Sequence, residues 1–322
     1  AYNYGAAMQA FALQKALHDM GVEAEYINYI NEKRKNAYNT TFKAKRALKQ
    51  KNIILAVRFL IGGVFISTRR KHFDAFYEKH LNKTAKVYTT STEARALNGM
   101  YDKFIAGSDQ VWNCRNNGGD LAYLLDFVEN PDEKISYASS FGMVDIPPEY
   151  VSAYSEALKK IGRISVREVI GSRIVERYTG RNPQVVLAPV FPTGIKAWEI
   201  IKQEGSVKNE RFIFFYTNRD DQIRDFWSIG FSRKGIRSHI LSSTIGIKDF
   251  LDPKTSVRVS MKPADFLNEI ASAELVVTAS FHCVAFSIIF HKQFVVFLTG
   301  NRGRDERILN LLHICGLTDR II

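Results

Sequence analysis

Helical and strand-like patterns of apolar residues alternate along most of the chain. Over residues 4–20 the apolar positions recur at the spacing of one helix face, and Gly21 follows as a helix terminator. An alternating pattern predicts a strand over 22–29, and a further helix is predicted near 72–80. Short apolar runs and helical patterns then predict strands at 101–106, 134–139, 163–166 and 184–187, with helices at 148–160 and 168–178.

A second series of the same kind follows a segment rich in Pro, Gly and charge near 188–209. It predicts strands at 211–216, 239–242, 257–260, 275–278 and 294–298, and helices that begin at 263, 281 and 304. Strands that alternate with helices are typical of parallel sheets covered by helices. The sequence therefore predicts an α/β protein with two Rossmann-like domains that face each other across a cleft.

This pattern predicts the domain organisation. Residues 1–192 are expected to form the N-terminal domain, with a basic helical insertion over 33–71. A linker is predicted over 193–210 and the C-terminal domain over 211–322, with the last helix packing back on the N-terminal domain. The chain opens on Ala1-Tyr2-Asn3-Tyr4-Gly5, which is typical of a turn from a strand into a helix, so a first strand is expected upstream.

The charge of the chain is concentrated in one segment. The net charge is +12, and the segment from Lys33 to Lys71 holds twelve Lys and Arg and no acidic residue. It includes the apolar stretch Asn52–Ile66, which is too short and too interrupted to span a bilayer. Three interpretations stay open: contact with an anionic membrane surface, a core helix with a solvated basic face, or an oligomer contact. The segment contains no recognised nucleic-acid-binding motif, so nucleic-acid binding is not predicted.

The spacing of the cysteines and the absence of several motifs disfavour some classes of protein. The three cysteines, Cys114, Cys283 and Cys315, form no CxxC pair, which predicts no zinc site and a reducing, cytoplasmic location. No signal peptide is visible. Because no GxGxxG, P-loop, GxSxG or HExxH pattern occurs, a dinucleotide enzyme, an NTPase and a zinc hydrolase are disfavoured.

Ligands of such sheets bind beyond the carboxyl ends of the strands, and this rule selects two cationic candidates. In Ser280-Phe281-His282, at the start of a predicted helix, His282 could meet an anion or act as an acid. Arg167 follows a predicted strand and could grip a carboxylate or a phosphate. The alternatives are a polar helix start and an ion pair of Arg167 with Glu168 or Asp109.

Two further turns supply candidate binding residues. In Gly107-Ser108-Asp109-Gln110 a glycine turn leaves a strand, and Trp112 just beyond it could stack on a sugar or fill the core. Asp109 could orient a base, bind a hydroxyl or cap the next turn. At Asn3-Tyr4-Gly5 the small residues allow a ligand to approach the first helix, or serve only for close packing.

Together these segments resemble one known family. The resemblance to the polysaccharide pyruvyl transferases rests on five motifs in the family's order, which are Asn3–Gln14, Gly107–Asn113, Lys134–Gly142, Ser165–Glu168 and Ser280–His282 with the helix to Phe290. It implies a fold like the GT-B glycosyltransferases. It also implies that phosphoenolpyruvate gives a cyclic pyruvate ketal on two hydroxyls of one sugar, with no metal or further cofactor. Arg167 and His282 match the positions expected to meet the donor, and His282 is the candidate general acid.

The chain departs from the family pattern near the presumed cleft. Ala188 and Ala279 stand where members commonly carry Asp, and Cys283 stands where they commonly carry Gly. Three hypotheses therefore follow. The first is a bacterial pyruvyl transferase of capsule or exopolysaccharide synthesis that takes a glycan or lipid-linked saccharide acceptor at the inner membrane face. The others are a glycosyltransferase that uses a nucleotide sugar and a non-catalytic relative that binds a glycan or a partner. The acceptor and the oligomeric state stay open.

Overall fold

The computed structural model describes residues 2–37, 39–207, 210–217, 230–232, 234–242 and 253–322, and for residues 54–66 it describes the backbone alone. The strands in this part of the chain are β1 Phe104–Ala106, β2 Lys134–Ser139, β3 Arg163–Val166, β4 Gln184–Val185, β5 Phe212–Tyr216, β6 Arg237–Leu241, β7 Thr255–Arg258, β8 Leu275–Thr278 and β9 Phe294–Val296.

The helices of the described residues are α1 Tyr4–Asp19, α2 Glu32–Ala37, α3 Thr40–Lys49, α4 Ile53–His80, α5 Ser91–Ala94, α6 Cys114–Asn117, α7 Pro148–Lys159, α8 Val169–Thr179, α9 Ile195–Lys202, α10 Pro263–Ser272, α11 Phe281–Ile289 and α12 Arg302–Ile314. Short 3₁₀ helices lie at Arg95–Leu97, Leu121–Leu124, Pro131–Glu133 and Thr318–Arg320.

The first sheet has the order β1-β2-β3-β4, and each pair of neighbouring strands is parallel. Tyr154 on α7 and Val175 on α8 are fully buried in the cluster that covers this sheet. The strand predicted over 22–29 is wrong as a continuous strand, because the structure has only isolated bridges there, at Tyr26 and Tyr29. The segment it pairs with, 83–88, is itself irregular, so no continuous ladder forms.

The second sheet has the order β7-β6-β5-β8-β9, and its described pairs are all parallel. This order reverses between β5 and β8, and such a switch point leaves a crevice beyond the carboxyl ends of those two strands. The strand β5 is buried along its whole length, as expected for a central strand covered on both faces. The predicted α/β class with two parallel sheets is confirmed.

The first helix packs against the second sheet's helices. Tyr4 and Met8 of α1 are fully buried in the same cluster as Phe266 of α10 and Phe286 of α11. The Tyr4 ring stacks on Phe266 with 4.6 Å between centroids. At the other end of the chain, α12 lies against the loop after β2, where Gly303 allows close contact with Met143. The predicted domain bounds and linker stay predictions.

The basic insertion is helical. The helices α3 and α4 pack on each other, and Ala44 and Ala47 of α3 are buried in that contact. The apolar stretch Asn52–Ile66 belongs to α4, but the side chains of 54–66 lie outside the described residues, so the interpretations of this stretch stay predictions. Among the described residues, no helix is long and apolar enough to cross a membrane.

Candidate active site between the two sheets

The candidate site lies where the carboxyl ends of the two sheets meet. Asp109 follows β1, and Arg167 follows β3 directly. From the second sheet, His282 stands in the first turn of α11, which follows β8. The ring of Phe281 joins the two halves, because the Arg167 guanidinium carbon lies 4.4 Å from its centroid. The predicted candidates Arg167, His282 and Asp109 are therefore brought together.

Arg167 is a buried cation with unused hydrogen-bond donors. The residue is 3% exposed, its Nη1 donates to Ser108 Oγ at 3.4 Å, and its Nε lies 3.6 Å from Glu168 Oε2. The Nε and Nη2 atoms are buried and have no hydrogen-bond partner. Buried guanidinium donors are normally satisfied, and an anion that presents paired oxygens suits them.

Glu168 holds Arg167 from the side of the first sheet. The carboxylate is fully buried, and its Oε1 accepts a hydrogen bond from Ser140 Oγ at 2.7 Å. The structure thus contains the ion pair between Arg167 and Glu168, which was the alternative role predicted for Arg167. It engages the Nε side of the guanidinium and leaves Nη2 as the donor for a ligand.

His282 is buried beside the start of the first helix. It is 6% exposed, and its Nε2 is buried with no hydrogen-bond partner. Burial, together with the positive charges of Arg167 and Arg307, lowers the pKa of His282 to about 3, although Asp109 acts in the opposite direction. The imidazole is therefore neutral at pH 7 in this state. The general acid expected from the sequence needs a bound anion to raise this pKa.

Asp109 is held in a strained backbone conformation. Its φ is 133°, a region that residues other than glycine rarely adopt. Its carbonyl accepts a hydrogen bond from the Ser140 amide at 3.0 Å, which fixes this turn to β2. Burial alone raises the pKa of Asp109, but His282, Arg167 and the Gln110 amide outweigh it and the net shift is downward. The residue is therefore a carboxylate at neutral pH.

Arg307 also reaches this site, and the sequence did not indicate it. It is half-buried on α12, its Nε is buried without a hydrogen-bond partner, and its guanidinium carbon lies 5.9 Å from the Phe281 centroid. The Gln110 amide, oriented with its oxygen toward Arg307, accepts from Nη1 at 3.0 Å and from Nη2 at 2.7 Å. No local pattern marks Arg307, because its position depends on how α12 crosses to the first sheet.

Two candidates from the sequence are core residues in this structure. Tyr4 is fully buried, and its hydroxyl donates to Met261 O at 3.1 Å and accepts from Met261 N at 3.0 Å. Trp112 is fully buried against Phe141, and its indole N–H donates to Tyr123 O at 3.0 Å. Neither ring offers a face to a ligand here, so the core alternative describes the packing of both.

The remaining candidates frame the site. Asn3 caps α1 by accepting from the Ala6 amide at 3.1 Å. Gly5 lies against the His282 ring, and Gly107 packs close to Leu13. Ser280 precedes α11, and its side chain makes no capping hydrogen bond. Ligand contacts for these residues stay predictions.

The three departures from the family pattern do not all face the site. Ala188 and Cys283 are both buried in the hydrophobic cluster around α11. Burial raises the pKa of the Cys283 thiol to about 12, so it is an uncharged core group. Cys283 follows His282 along the chain, but its side chain belongs to this apolar cluster. Ala279 lies between β8 and α11, and its amide donates to Tyr216 O at 3.4 Å.

Within the described ranges, no group of three or more His, Cys, Asp or Glu side chains could hold a metal ion.

The described residues thus form an α/β fold in which arginine and histidine side chains gather between two parallel sheets. The sequence model of the polysaccharide pyruvyl transferase family matches residues 3–301, nearly the whole chain. The protein therefore belongs to the polysaccharide pyruvyl transferase family, which confirms the resemblance.

The chain was also compared with solved structures and with curated protein sequences. The E. coli heptosyltransferase WaaC, solved with ADP-2-deoxy-2-fluoro heptose, is a similar structure with a TM-score of 0.40 and 13% sequence identity, over 92% of this chain and 85% of that one. No curated protein sequence matches the chain significantly.

Proposed function

We propose that this protein transfers the pyruvyl group of phosphoenolpyruvate to two hydroxyls of one sugar in a cell-surface polysaccharide. The products are a cyclic pyruvate ketal and inorganic phosphate. Membership of the family supports a transferase of polysaccharide synthesis. The observation that carries the donor assignment is the pair of buried nitrogen atoms without hydrogen-bond or ion-pair partners, Arg167 Nη2 and His282 Nε2, at the meeting point of the two sheets.

The donor's charges suit these groups. Phosphoenolpyruvate carries a phosphate and a carboxylate, and both are preferred partners of an arginine fork. Because Arg167 is 3% exposed, its hydrogen bonds to an anion would form with little competition from water. Glu168 and Ser108 orient the guanidinium before the donor arrives.

The proton for the reaction is assigned to His282. The negative charge of the bound donor favours the imidazolium and raises the pKa that burial lowers in the free protein. The Asp109 carboxylate acts in the same direction. A proton then moves from His282 to the methylene carbon C3, the C2=C3 electron pair forms the new C–H bond, and a cationic centre forms at C2.

Ketal formation follows in two attacks at C2. The first sugar hydroxyl attacks the cationic centre, and its proton returns to the imidazole of His282. The second hydroxyl then attacks while the bond from C2 to the phosphate oxygen breaks, and phosphate leaves with that hydroxyl's proton. Charge on the leaving phosphate is stabilised by the buried guanidinium of Arg167.

The acceptor is proposed to be a glycan or a lipid-linked saccharide, met in the cytoplasm at the inner face of the membrane. Phe42 on α3 and Ile53 at the start of α4 are exposed apolar residues within the basic insertion. Cations beside exposed apolar groups favour an anionic lipid surface. Sedimentation with vesicles of phosphatidylglycerol, compared with phosphatidylcholine, tests this contact. Equal or absent binding to both vesicles contradicts it.

The reaction is tested by incubating the protein with phosphoenolpyruvate and a panel of saccharides. The expected result is sugar-dependent phosphate release, and a saccharide that gains one pyruvate ketal in mass spectrometry. Arg167→Gln and His282→Gln should abolish both signals. Release of nucleotide from a nucleotide sugar, with no phosphate released from phosphoenolpyruvate, would instead identify a glycosyltransferase. Binding of the donor without turnover on any saccharide contradicts the catalytic proposal.

A further inference from the structure

Arg307 comes into the site from a helix that lies beyond the family match. The match ends at residue 301, and α12 begins at Arg302. The first turn of α12 is pressed onto the loop after β2, because a β-carbon at Gly303 would lie 2.6 Å from Met143 Cα. This close contact directs Arg307, one turn later, toward the end of the first sheet.

Gln110, in the turn after β1, fixes the Arg307 guanidinium. The amide oxygen of Gln110 accepts from both Nη atoms of Arg307, at 3.0 and 2.7 Å. Gly142 leaves the room for this amide, because a β-carbon there would lie 2.6 Å from the Gln110 Cδ. Gly142 also has a φ of 58°, which glycine adopts most readily. With both Nη atoms occupied, Arg307 keeps its buried Nε for a further acceptor.

Two guanidinium groups therefore share one small space. The guanidinium carbons of Arg167 and Arg307 lie 4.4 and 5.9 Å from the centroid of the same Phe281 ring. Burial and the charge of Arg167 lower the pKa of Arg307 to about 10. Glu168 and Asp109 balance the net charge, yet donors of both arginines remain without hydrogen bonds. Buried donors that lack hydrogen bonds favour a bound ligand that supplies acceptors, and an anion supplies the strongest ones.

We propose that Arg307 forms a second anion-binding position opposite Arg167, so that the cleft takes a small ligand with two anionic groups. One group binds Arg167 and the other binds Arg307, while Gln110 acts as a positioning residue for Arg307. The inference rests on the proposed function, since phosphoenolpyruvate has two anionic groups, and it assigns them to one cation that follows β3 and one cation on α12.

The test compares binding of phosphoenolpyruvate with that of two probes that carry one anionic group each, inorganic phosphate and pyruvate. Dissociation constants are measured by calorimetry for the wild type, Arg307→Gln and Arg307→Lys. Arg302→Gln is the matched control, because Arg302 is an exposed arginine in the first turn of the same helix. Unfolding curves confirm that each variant is folded at the temperature of the titration.

Losing a charged hydrogen-bond partner corresponds to a change of about 10- to 100-fold in affinity. We expect that loss for phosphoenolpyruvate in Arg307→Gln, with an intermediate loss in Arg307→Lys and none in the control. One single-anion probe should weaken with it, and the other should keep its wild-type affinity. Unchanged affinity for phosphoenolpyruvate in Arg307→Gln, or equal weakening of both probes, overturns the inference and leaves the proposed function standing. A wild type that does not bind phosphoenolpyruvate contradicts both.

Discussion

Gly5 and His282 are in contact across the two ends of the chain. A β-carbon built on Gly5 would lie 2.0 Å from Nδ1 of His282 and 2.3 Å from its Cγ. Both residues stand in the first turns of helices, α1 and α11, that pack in one hydrophobic cluster. Glycine is needed at position 5 for space, because any side chain there would take the place of the imidazole.

Replacing Gly5 by Ala should therefore displace His282. Alanine favours a helix over glycine by about 1 kcal/mol, but this gain cannot offset a contact of 2.0 Å. We expect donor affinity to fall by about tenfold or more, since His282 leaves its position beside Arg167. Calorimetric titration with phosphoenolpyruvate measures this.

The matched control for that variant is Gly171→Ala on α8. A β-carbon there would meet its nearest atoms at 3.4 to 3.7 Å, which is ordinary contact. We expect it to keep wild-type donor affinity. Equal donor affinity in Gly5→Ala and Gly171→Ala would contradict the assigned role of the contact between Gly5 and His282.

The buried His282 should make the protein sensitive to acid. Its pKa is about 3 in the folded state and 6.5 ordinarily, so between these values the unfolded chain binds one more proton. The free energy of unfolding should therefore fall as the pH drops below about 6.5, by up to about 1.4 kcal/mol per pH unit. Urea unfolding across this range, for the wild type and His282→Gln, measures the difference. Parallel pH dependence of the two proteins contradicts the buried neutral imidazole.

Much of the fold follows from local sequence patterns. The strands β2, β3 and β8 have the bounds that their apolar runs predict. The prediction over 22–29 failed because alternation alone does not supply a partner strand, and the structure has only two bridges there. The length of α4 was also underestimated, because the basic segment hides the start of a helix that runs from Ile53 to His80.

The site was predictable where its residues lie at or just beyond a strand end. Arg167 follows β3 directly and Asp109 lies in the turn after β1, so the topology of parallel sheets brings them together. Tyr4 belongs to the same kind of turn, but its ring packs into the core. No rule of sequence spacing tells a turn residue that faces the site from one that fills the core. Arg307 lies within a helix, and only the packing of α12 on Met143 brings it to the cleft.

Tyr4→Phe separates a core role from a ligand role. The hydroxyl makes two hydrogen bonds to the backbone of Met261, and its loss leaves two buried groups unpaired. We expect the free energy of unfolding to fall by about 1–3 kcal/mol with donor affinity unchanged. The control is Tyr154→Phe, which also removes a buried hydroxyl, but one that donates to the Asn117 side chain. A loss of donor affinity without a loss of stability would show that Tyr4 contacts the ligand after all.

His239 should be a stability residue away from the site. Its Nδ1 lies 2.7 Å from Glu269 Oε2 and its Nε2 lies 3.2 Å from Glu210 Oε1, while its ring stacks on Phe212. His239→Ala leaves the buried Glu269 without this partner, so we expect a loss of about 3 kcal/mol in the free energy of unfolding and no change in donor affinity. Thermal and urea unfolding measure the loss.

The control for His239 is Arg237→Ala. Arg237 is exposed and also pairs with Glu210, at 3.3 Å, so its loss should cost about 0–1 kcal/mol. Equal losses in the two variants would show that the buried histidine contributes no more than a surface pair.

The most direct test of the account is the binding of phosphoenolpyruvate itself. Thermal unfolding is recorded with phosphoenolpyruvate, with phosphate and with nucleotide sugars, for the wild type, Arg167→Ala and His282→Ala. A ligand at about a hundred times its dissociation constant stabilises the folded state by about 2.7 kcal/mol. We predict such a shift with phosphoenolpyruvate for the wild type, and its loss in both variants. A shift with nucleotide sugars alone, or a phosphoenolpyruvate shift that survives both substitutions, would contradict the assignment of this cleft as the donor site.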